Sequence, residues 1–273
     1  MSLHLKPKTP DADGQIHGVT LESAGWRYVG FAAHRLTAGQ TVTRPTEDQE
    51  VCIVILAGRA RATAGDQDFG EIGERLSIFA QTPPYALYVP PGSGWSLTAL
   101  GDLEIGIGSA PATGSHPARL IAPRDIQPVS RGTGTNLRHI HPILMEERDA
   151  AESLLITEVF TPAGHWSSYP PHKHDTDDFP HETYLEETYY HRLDPPQGFG
   201  FQRVYTDDRS LDQSMAVYDG DVVLVPRGYH PCAASHGYGL YYLNVMAGPR
   251  RAWRFRNEPA HDWLSGNPSV SPH

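Results

Sequence analysis

Cysteine is scarce in this chain: 273 residues contain two, Cys52 and Cys232, too far apart in sequence to form a CxxC motif. That excludes a disulfide framework and a thiol-based metal ribbon. No apolar run approaches the roughly 20 residues that cross a bilayer. The opening stretch MSLHLKPKTPDADG has no apolar core of the kind a secretion signal carries, so a cytoplasmic location is expected. Positive charge is also in short supply. Lys and Arg number 22 against 32 Asp and Glu, a formal net charge of -10. Such a surface repels nucleic acid and anionic membrane, so neither is an expected partner. No GxGxxG in a βαβ setting and no GxxxxGK[ST] is found, so no nucleotide site is expected. Helical periodicity is rare too; the best helix candidate is MEERDAAESL, near 145 to 154.

What the chain has in quantity is turn formers, 26 Gly and 24 Pro, between short apolar or alternating runs. WRYVGFAAHRL, VCIVILAG and LEIGIG in the first half are matched in style by LLITEVFTPAG, DVVLVPRG and LYYLNVMAG in the second. This spacing predicts an all-β chain of antiparallel sandwiches or barrels with few short helices. The passage SAPATGSHPARLIAPRD, followed by RGTGTN, reads as a linker, placing one domain at 1–130 and a second at 131–273. A short repeat supports two related units. Val89-Pro90-Pro91-Gly92-Ser93-Gly94 matches Val225-Pro226-Arg227-Gly228-Tyr229-His230 at a constant offset. Each copy follows a Glu-led apolar strand by about 40 residues, Glu50-Val51 in one and Glu187-Thr188 in the other. Gly94 stands where the second copy has His230. Four of the fifteen histidines (His4, His17, His34 and His116) fall in the first unit, so a metal site is expected in the second.

The segment Ser167-Ser168-Tyr169-Pro170-Pro171-His172-Lys173-His174-Asp175 carries the chemistry. Alternate residues of a strand share a face, so His172 and His174 enter one barrel while Lys173 points away. Leu185-Glu186-Glu187-Thr188-Tyr189-Tyr190 brings a carboxylate to the start of a strand, and Val225-Pro226-Arg227-Gly228-Tyr229-His230 brings a third imidazole. Three imidazoles and a carboxylate suit a divalent cation with open positions, with zinc, manganese and iron all tolerated.

This arrangement resembles the cupin superfamily, whose metal motif pairs His-x-His and Glu with a later Gly-x5-Pro-x-Gly and His. The spacer differs, since twelve residues separate His174 from Glu187. A narrower resemblance accommodates it. SSYPPHKHD, LEETYY, PQGFGFQRVYTDDRSLD, DGDVVLVPRGYHP and YYLNVMAGP together resemble the 5-deoxy-glucuronate isomerase family of myo-inositol catabolism, related to the 4-deoxy-L-threo-5-hexosulose-uronate ketol-isomerases. The resemblance is densest from about 165 to 256. It implies two tandem cupin (jelly-roll) barrels, the first degenerate. It implies one divalent metal ion on His172, His174, Glu187 and His230, a sugar-acid partner, and an aldose–ketose isomerisation. It also suggests assembly into a homo-oligomer, with the first barrel as interface or lid.

Glu187 is preferred to Glu186 because in a cupin the liganding Glu leads directly into the apolar strand. His139 and His141, with Glu146, form a rival set; a strand at the domain junction is the plainer reading of that segment. Glu182, Tyr242 and a metal-bound water are the candidates to carry the proton. A substrate carboxylate calls for an arginine fork, and Arg203 and Arg227 are the candidates. Cys232 is expected to be a buried structural thiol. Two other classes stay open: a metal-dependent dioxygenase on the same ligands, and a non-catalytic sugar-binding bicupin.

Overall fold

A computed structural model describes residues 2–265; residues 1 and 266–273, which the boundaries above include, lie outside the described residues. The chain forms antiparallel sheets stacked as two open barrels. In the first, a six-stranded sheet containing Gly30–Leu36, Gln49–Ala57, Ala86–Val89 and Leu103–Pro111 faces a four-stranded sheet of Thr41–Pro45, Ala60–Ala64, Gln67–Ile72 and Gly94–Ala99. In the second, a seven-stranded sheet containing Arg138–Leu144, Leu155–Thr161, Glu186–Asp194, Val222–Val225 and Gly239–Ala247 faces one of Trp166–Ser167, Gly200–Tyr205, Asp212–Val217 and Cys232–Ala234. The strands at 86–89 and 103–111 recur at 222–225 and 239–247, at the same offset as the short sequence repeat, so the repeat extends to the architecture. No helix among the described residues is long and apolar enough to cross a membrane.

The six- and seven-stranded sheets lie back to back, and the period of two along each strand decides what goes where. In the first barrel Cys52, Val54 and Leu56 face the partner sheet, while Val51, Ile53 and Ile55 fill the barrel interior with Leu87, Val89, Trp95 and Leu97. Gly106 and Gly108 let the two sheets approach: an added Cβ would come within 2.5 Å of Leu243 and 2.7 Å of Val245. A bidentate pair is buried across this seam, Arg75 donating to both carboxylate oxygens of Glu158 at 2.7 Å. The Glu158 carboxylate also takes His141 at 2.7 Å and the Tyr241 hydroxyl at 2.9 Å.

Three sequence expectations change here. The helix near 145 to 154 is a run of turns and bends. Its last N–H groups, those of Glu152, Ser153 and Leu154, donate to the Glu50 carboxylate across the seam, and that tertiary capture displaces helical bonding. The linker is partly strand: Arg119–Ile121 pairs with the edge of the first barrel's large sheet and Val129–Arg131 with the edge of the second's. The N-terminal His4–Leu5 pairs with Val222 and Val223 of the second barrel, so the chain starts on the far unit.

The register of the repeat also changes. At the offset that aligns Val89 with Val225, Glu50 corresponds to Glu186, and Glu187 corresponds to Val51. Glu186 accepts the N–H groups of Arg27, Tyr28 and Val29, as Glu50 accepts those of 152–154. The two carboxylates are therefore reciprocal caps, each closing the loop that leads into a strand of the other barrel.

Candidate metal centre

The second barrel repeats the first with a polar filling. Along Glu186–Asp194, Glu186 and Tyr190 face the seam, which leaves Glu187, Tyr189 and His191 inside. A cavity of about 340 Å³ opens beside them, lined among others by Arg131, Arg138, Ser168, His172, Glu187, Tyr189, Tyr242, Asn244, Trp253 and Phe255.

His172, His174 and His230 are all buried, with one ring nitrogen of each within 4.8 Å of the others. His172 begins the short strand His172–Lys173, and Lys173 turns outward to Asp207 and Asp175, at 2.8 and 3.1 Å. Backbone carbonyls hold two of the rings. His230 Nδ1 lies 2.8 Å from the Gly228 carbonyl and His174 Nδ1 lies 3.2 Å from that of Leu185. A carbonyl only accepts, so each Nδ1 carries a proton, and on a neutral ring Nε2 then presents a lone pair. Both Nε2 atoms converge on one oxygen of Glu187, at 3.1 Å from His174 and 3.2 Å from His230.

Charge decides what this convergence means. Burial pushes the His230 pKa down to about 4, so the ring is neutral at ordinary pH. Its Nε2 is a buried nitrogen with no hydrogen-bond partner, aimed at a carboxylate oxygen that also offers lone pairs. Burial likewise lowers His172, reinforced by the neighbouring imidazoles. For His174 burial is outweighed by the hydrogen bond to Glu187, and its pKa is raised. At His230 a lone pair is directed at carboxylate lone pairs in a buried site, and these repel unless a cation lies between them. Three imidazoles and one carboxylate are the donors that a borderline divalent cation takes, so the residues present fit such an ion.

Around this cluster stand two tyrosine–serine pairs. The Tyr242 hydroxyl lies 2.5 Å from Ser167 Oγ and that of Tyr189 lies 2.9 Å from Ser168 Oγ. Burial raises both phenol pKa values, so both keep their protons. Ser168 is held at φ +51°, in the left-handed region, a strained conformation of the sort that clusters at functional sites. Phe255 packs on His172 with ring centroids 4.7 Å apart, and Trp253 stands behind it at 5.2 Å.

The other sequence candidates fall elsewhere. Glu182 is buried but does not line the cavity; it accepts the N–H groups of Asp175 and Thr176 and shapes the loop after His174. Arg203 alternates with the inward Gln202, so it points out of the barrel, and its fork is closed on Asp212 at 2.8 and 2.7 Å. Arg227 is exposed, with Ser210 at 3.4 Å. Neither arginine reaches the cavity. In the rival set, His141 belongs to the seam with Glu158, His139 pairs with Ser130, and Glu146 pairs with Arg254 at 2.6 Å. Arg131, Arg138, Asn244 and Tyr189 line the cavity although the sequence assigned them no role there. Tyr189 could have been found, since it is two residues from Glu187 on one strand. The arginines sit in the supposed linker and in a polar strand, where no pattern marks them.

The chain is 54% identical over 260 residues to a 5-deoxy-glucuronate isomerase of Geobacillus thermodenitrificans, covering 95% of this chain and 94% of that one. It is 45% identical over 249 residues to the enzyme of the same name in Bacillus subtilis, covering 91% and 92%. The crystal structure of an IolB-like protein from Salmonella typhimurium superposes with a TM-score of 0.93 at 50% identity, covering 97% of this chain and 99% of that one. An oxalate decarboxylase from Lactobacillus farciminis superposes with a TM-score of 0.68 at 14% identity over 100% and 95%, which speaks for the shared two-barrel cupin fold alone. The description of the KduI/IolB family matches residues 3–264, and with relatives this similar over nearly their whole length the chain belongs to that family.

Proposed function

We propose that this chain converts 5-deoxy-D-glucuronate to 5-dehydro-2-deoxy-D-gluconate, an intramolecular aldose–ketose isomerisation. The relatives above bear that name. The observation that carries the reading here is the convergence of His172, His174, His230 and Glu187 at a cavity of ligand size, with a protonated tyrosine lining its wall. A divalent cation of the zinc, manganese or iron type, held by these four side chains, would act as a Lewis acid on the neighbouring carbonyl and hydroxyl oxygens of the sugar.

The rest of the work falls to the chain's own residues. The hydrogen on the carbon beside the aldehyde leaves as a proton, and a proton is returned to the former aldehyde carbon. Negative charge develops on oxygen between these steps. Tyr242, a phenol facing the cavity, holds a proton for that oxygen, and Ser167 is placed to relay it. A positioned acid of this kind contributes about 10² to 10⁴ in rate. Glu182 acts at a distance in this scheme, keeping His174 in place through the 175–176 backbone. Trp253 and Phe255 exclude water from one wall. The sequence boundary near residue 130 marks the change from the degenerate barrel to the working one. The two buried free thiols fit a reducing cytoplasm.

The test is the reaction itself, run in D₂O on metal-loaded protein and followed by NMR. The expected result is ketose product with deuterium on the carbon that began as the aldehyde, to the extent that the carried proton exchanges with solvent. Absence of ketose from 5-deoxy-D-glucuronate would overturn the assignment. Oxygen consumption tied to turnover would replace it with a dioxygenase.

A further inference from the structure

We infer that Arg138 and Arg131 form the anchor for the substrate's carboxylate and thereby select an acid over a neutral sugar; the inference rests on the isomerase reading for the identity of its ligand. Arg131 ends the edge strand Val129–Arg131 and Arg138 begins the strand Arg138–Leu144. The two are direct cross-strand partners, and both line the cavity that holds His172, Glu187 and Tyr242. Like charges placed directly opposite on neighbouring strands destabilise a sheet. Their mutual repulsion is felt: the Arg138 charge adds to desolvation at the cavity wall in lowering the pKa of Arg131, a side chain that still reaches solvent.

Arginines without a carboxylate partner occur elsewhere too, Arg227 among them, but these two line one cavity as direct cross-strand partners. Arg75, Arg192, Arg203, Arg209, Arg254 and Arg256 each have a carboxylate partner, in a protein with ten more acids than bases. Arg131 and Arg138 make no ion pair among the described residues. Arg138 Nη1 donates to the carbonyls of Asn136 and Tyr169, both at 3.2 Å, which orients its fork without neutralising it. Arg131 lies over the Trp253 ring at 5.1 Å. Besides Glu187 at the metal centre, two acids share the cavity wall. Glu146 is engaged by Arg254, and Glu147 attracts Arg131 from beyond ion-pair distance. An anion between the two guanidinium groups would turn this repulsion into two attractions, and a carboxylate matches the planar fork in geometry. Arg138 lines the same cavity as His172 and Tyr242, so a ligand held by it reaches the reacting residues.

Two inert probes separate this claim from the reaction. One is the alditol acid made by reducing the aldehyde of 5-deoxy-D-glucuronate, which keeps the carboxylate but cannot isomerise. The other is the hexitol in which the carboxylate is reduced as well. Calorimetric titration of the metal-loaded protein with each is compared for the parent, Arg138→Gln, Arg138→Lys and Arg131→Gln. Affinity for the acid probe is expected to fall about 10- to 100-fold in Arg138→Gln and about 10-fold in Arg131→Gln, with Arg138→Lys between parent and Arg138→Gln. Affinity for the hexitol should stay at the parent value throughout. Arg131 is exposed and its replacement spares the fold, so this arm stands even if Arg138→Gln is unstable. Parent-like acid binding in both glutamine variants would overturn the anchor, as would equal loss for acid and hexitol. If binding follows the expected pattern but the parent makes no ketose, the isomerase reading fails while the anchor stands.

Discussion

Glu50 of the first barrel and Glu186 of the second hold corresponding positions in the repeat, and each accepts three consecutive backbone N–H groups from the loop that enters the other barrel. The tandem repeat is therefore cross-tied: neither unit completes its own entry loop. It also separates two adjacent carboxylates by task. Glu186 faces the seam and Glu187 faces the cavity because successive side chains of a strand alternate.

The separation can be measured. Glu186→Ala leaves the N–H groups of Arg27, Tyr28 and Val29 without their acceptor, the last of them buried, and is expected to cost about 2–4 kcal/mol. In a chain of this size that lowers Tm by roughly 5–15 °C. Glu187→Gln should leave the Tm of metal-free protein close to the parent value while metal content drops. Calorimetry and elemental analysis of the two purified variants check both halves of the expectation.

The buried seam offers a second test. Removing one member of a buried pair costs more than the pair is worth, because the other charge is left uncompensated. Arg75→Met should cost about 3–5 kcal/mol. Arg75→Met combined with Glu158→Gln should recover part of that loss, since the lone buried carboxylate is gone. Urea denaturation of the single and double variants gives the coupling.

Acid should weaken the fold through its buried imidazoles. Burial drives His191 down to about 4 from its ordinary 6.5, and burial lowers His17 and His34 as well. Between those two pH values the unfolded chain binds a proton at residue 191 that the folded chain refuses. Stability contributed by neutral His191 is thus full above about pH 6.5 and is lost as pH falls toward 4, on the order of 3 kcal/mol. His174, with its pKa raised, opposes the trend. Tm of metal-free protein measured from about pH 7.5 down to about 4.5 should fall, and His191→Gln should flatten the slope.

Chelation is the direct probe of the centre. A cation that binds only the folded state adds stability by mass action, about 3 kcal/mol at a hundredfold excess over Kd. Removing the ion should therefore lower Tm and abolish turnover, with both restored by adding back the correct metal. His230→Ala should show the low Tm and negligible turnover at any metal concentration, because its imidazole closes the cluster.

Much of this was legible beforehand. His172 and His174 at a spacing of two, and a proline–glycine turn before His230, are local signals, and local geometry delivered them to one face. The extra length between His174 and Glu187 folds into a loop tied by Glu182, so an unusual spacing in sequence left the convergence intact. Arg203 was misplaced for an equally local reason: beside the inward Gln202 it must face outward, and Asp212 was there to hold it. Arg131 and Arg138 become a pair through strand register alone, which no periodicity announces.

The amino-acid sequence by itself determined the all-β character, the doubling of the unit and three of the side chains at the centre, because strand alternation and turn chemistry act over a few residues. Tertiary structure decided which of two adjacent glutamates enters the cavity, which turn replaces the helix at 145 to 154, and which arginines face the site. Those outcomes depend on partners far away along the chain, such as Glu50 with Leu154 or Arg75 with Glu158, and on a register that exists only once the sheets have formed.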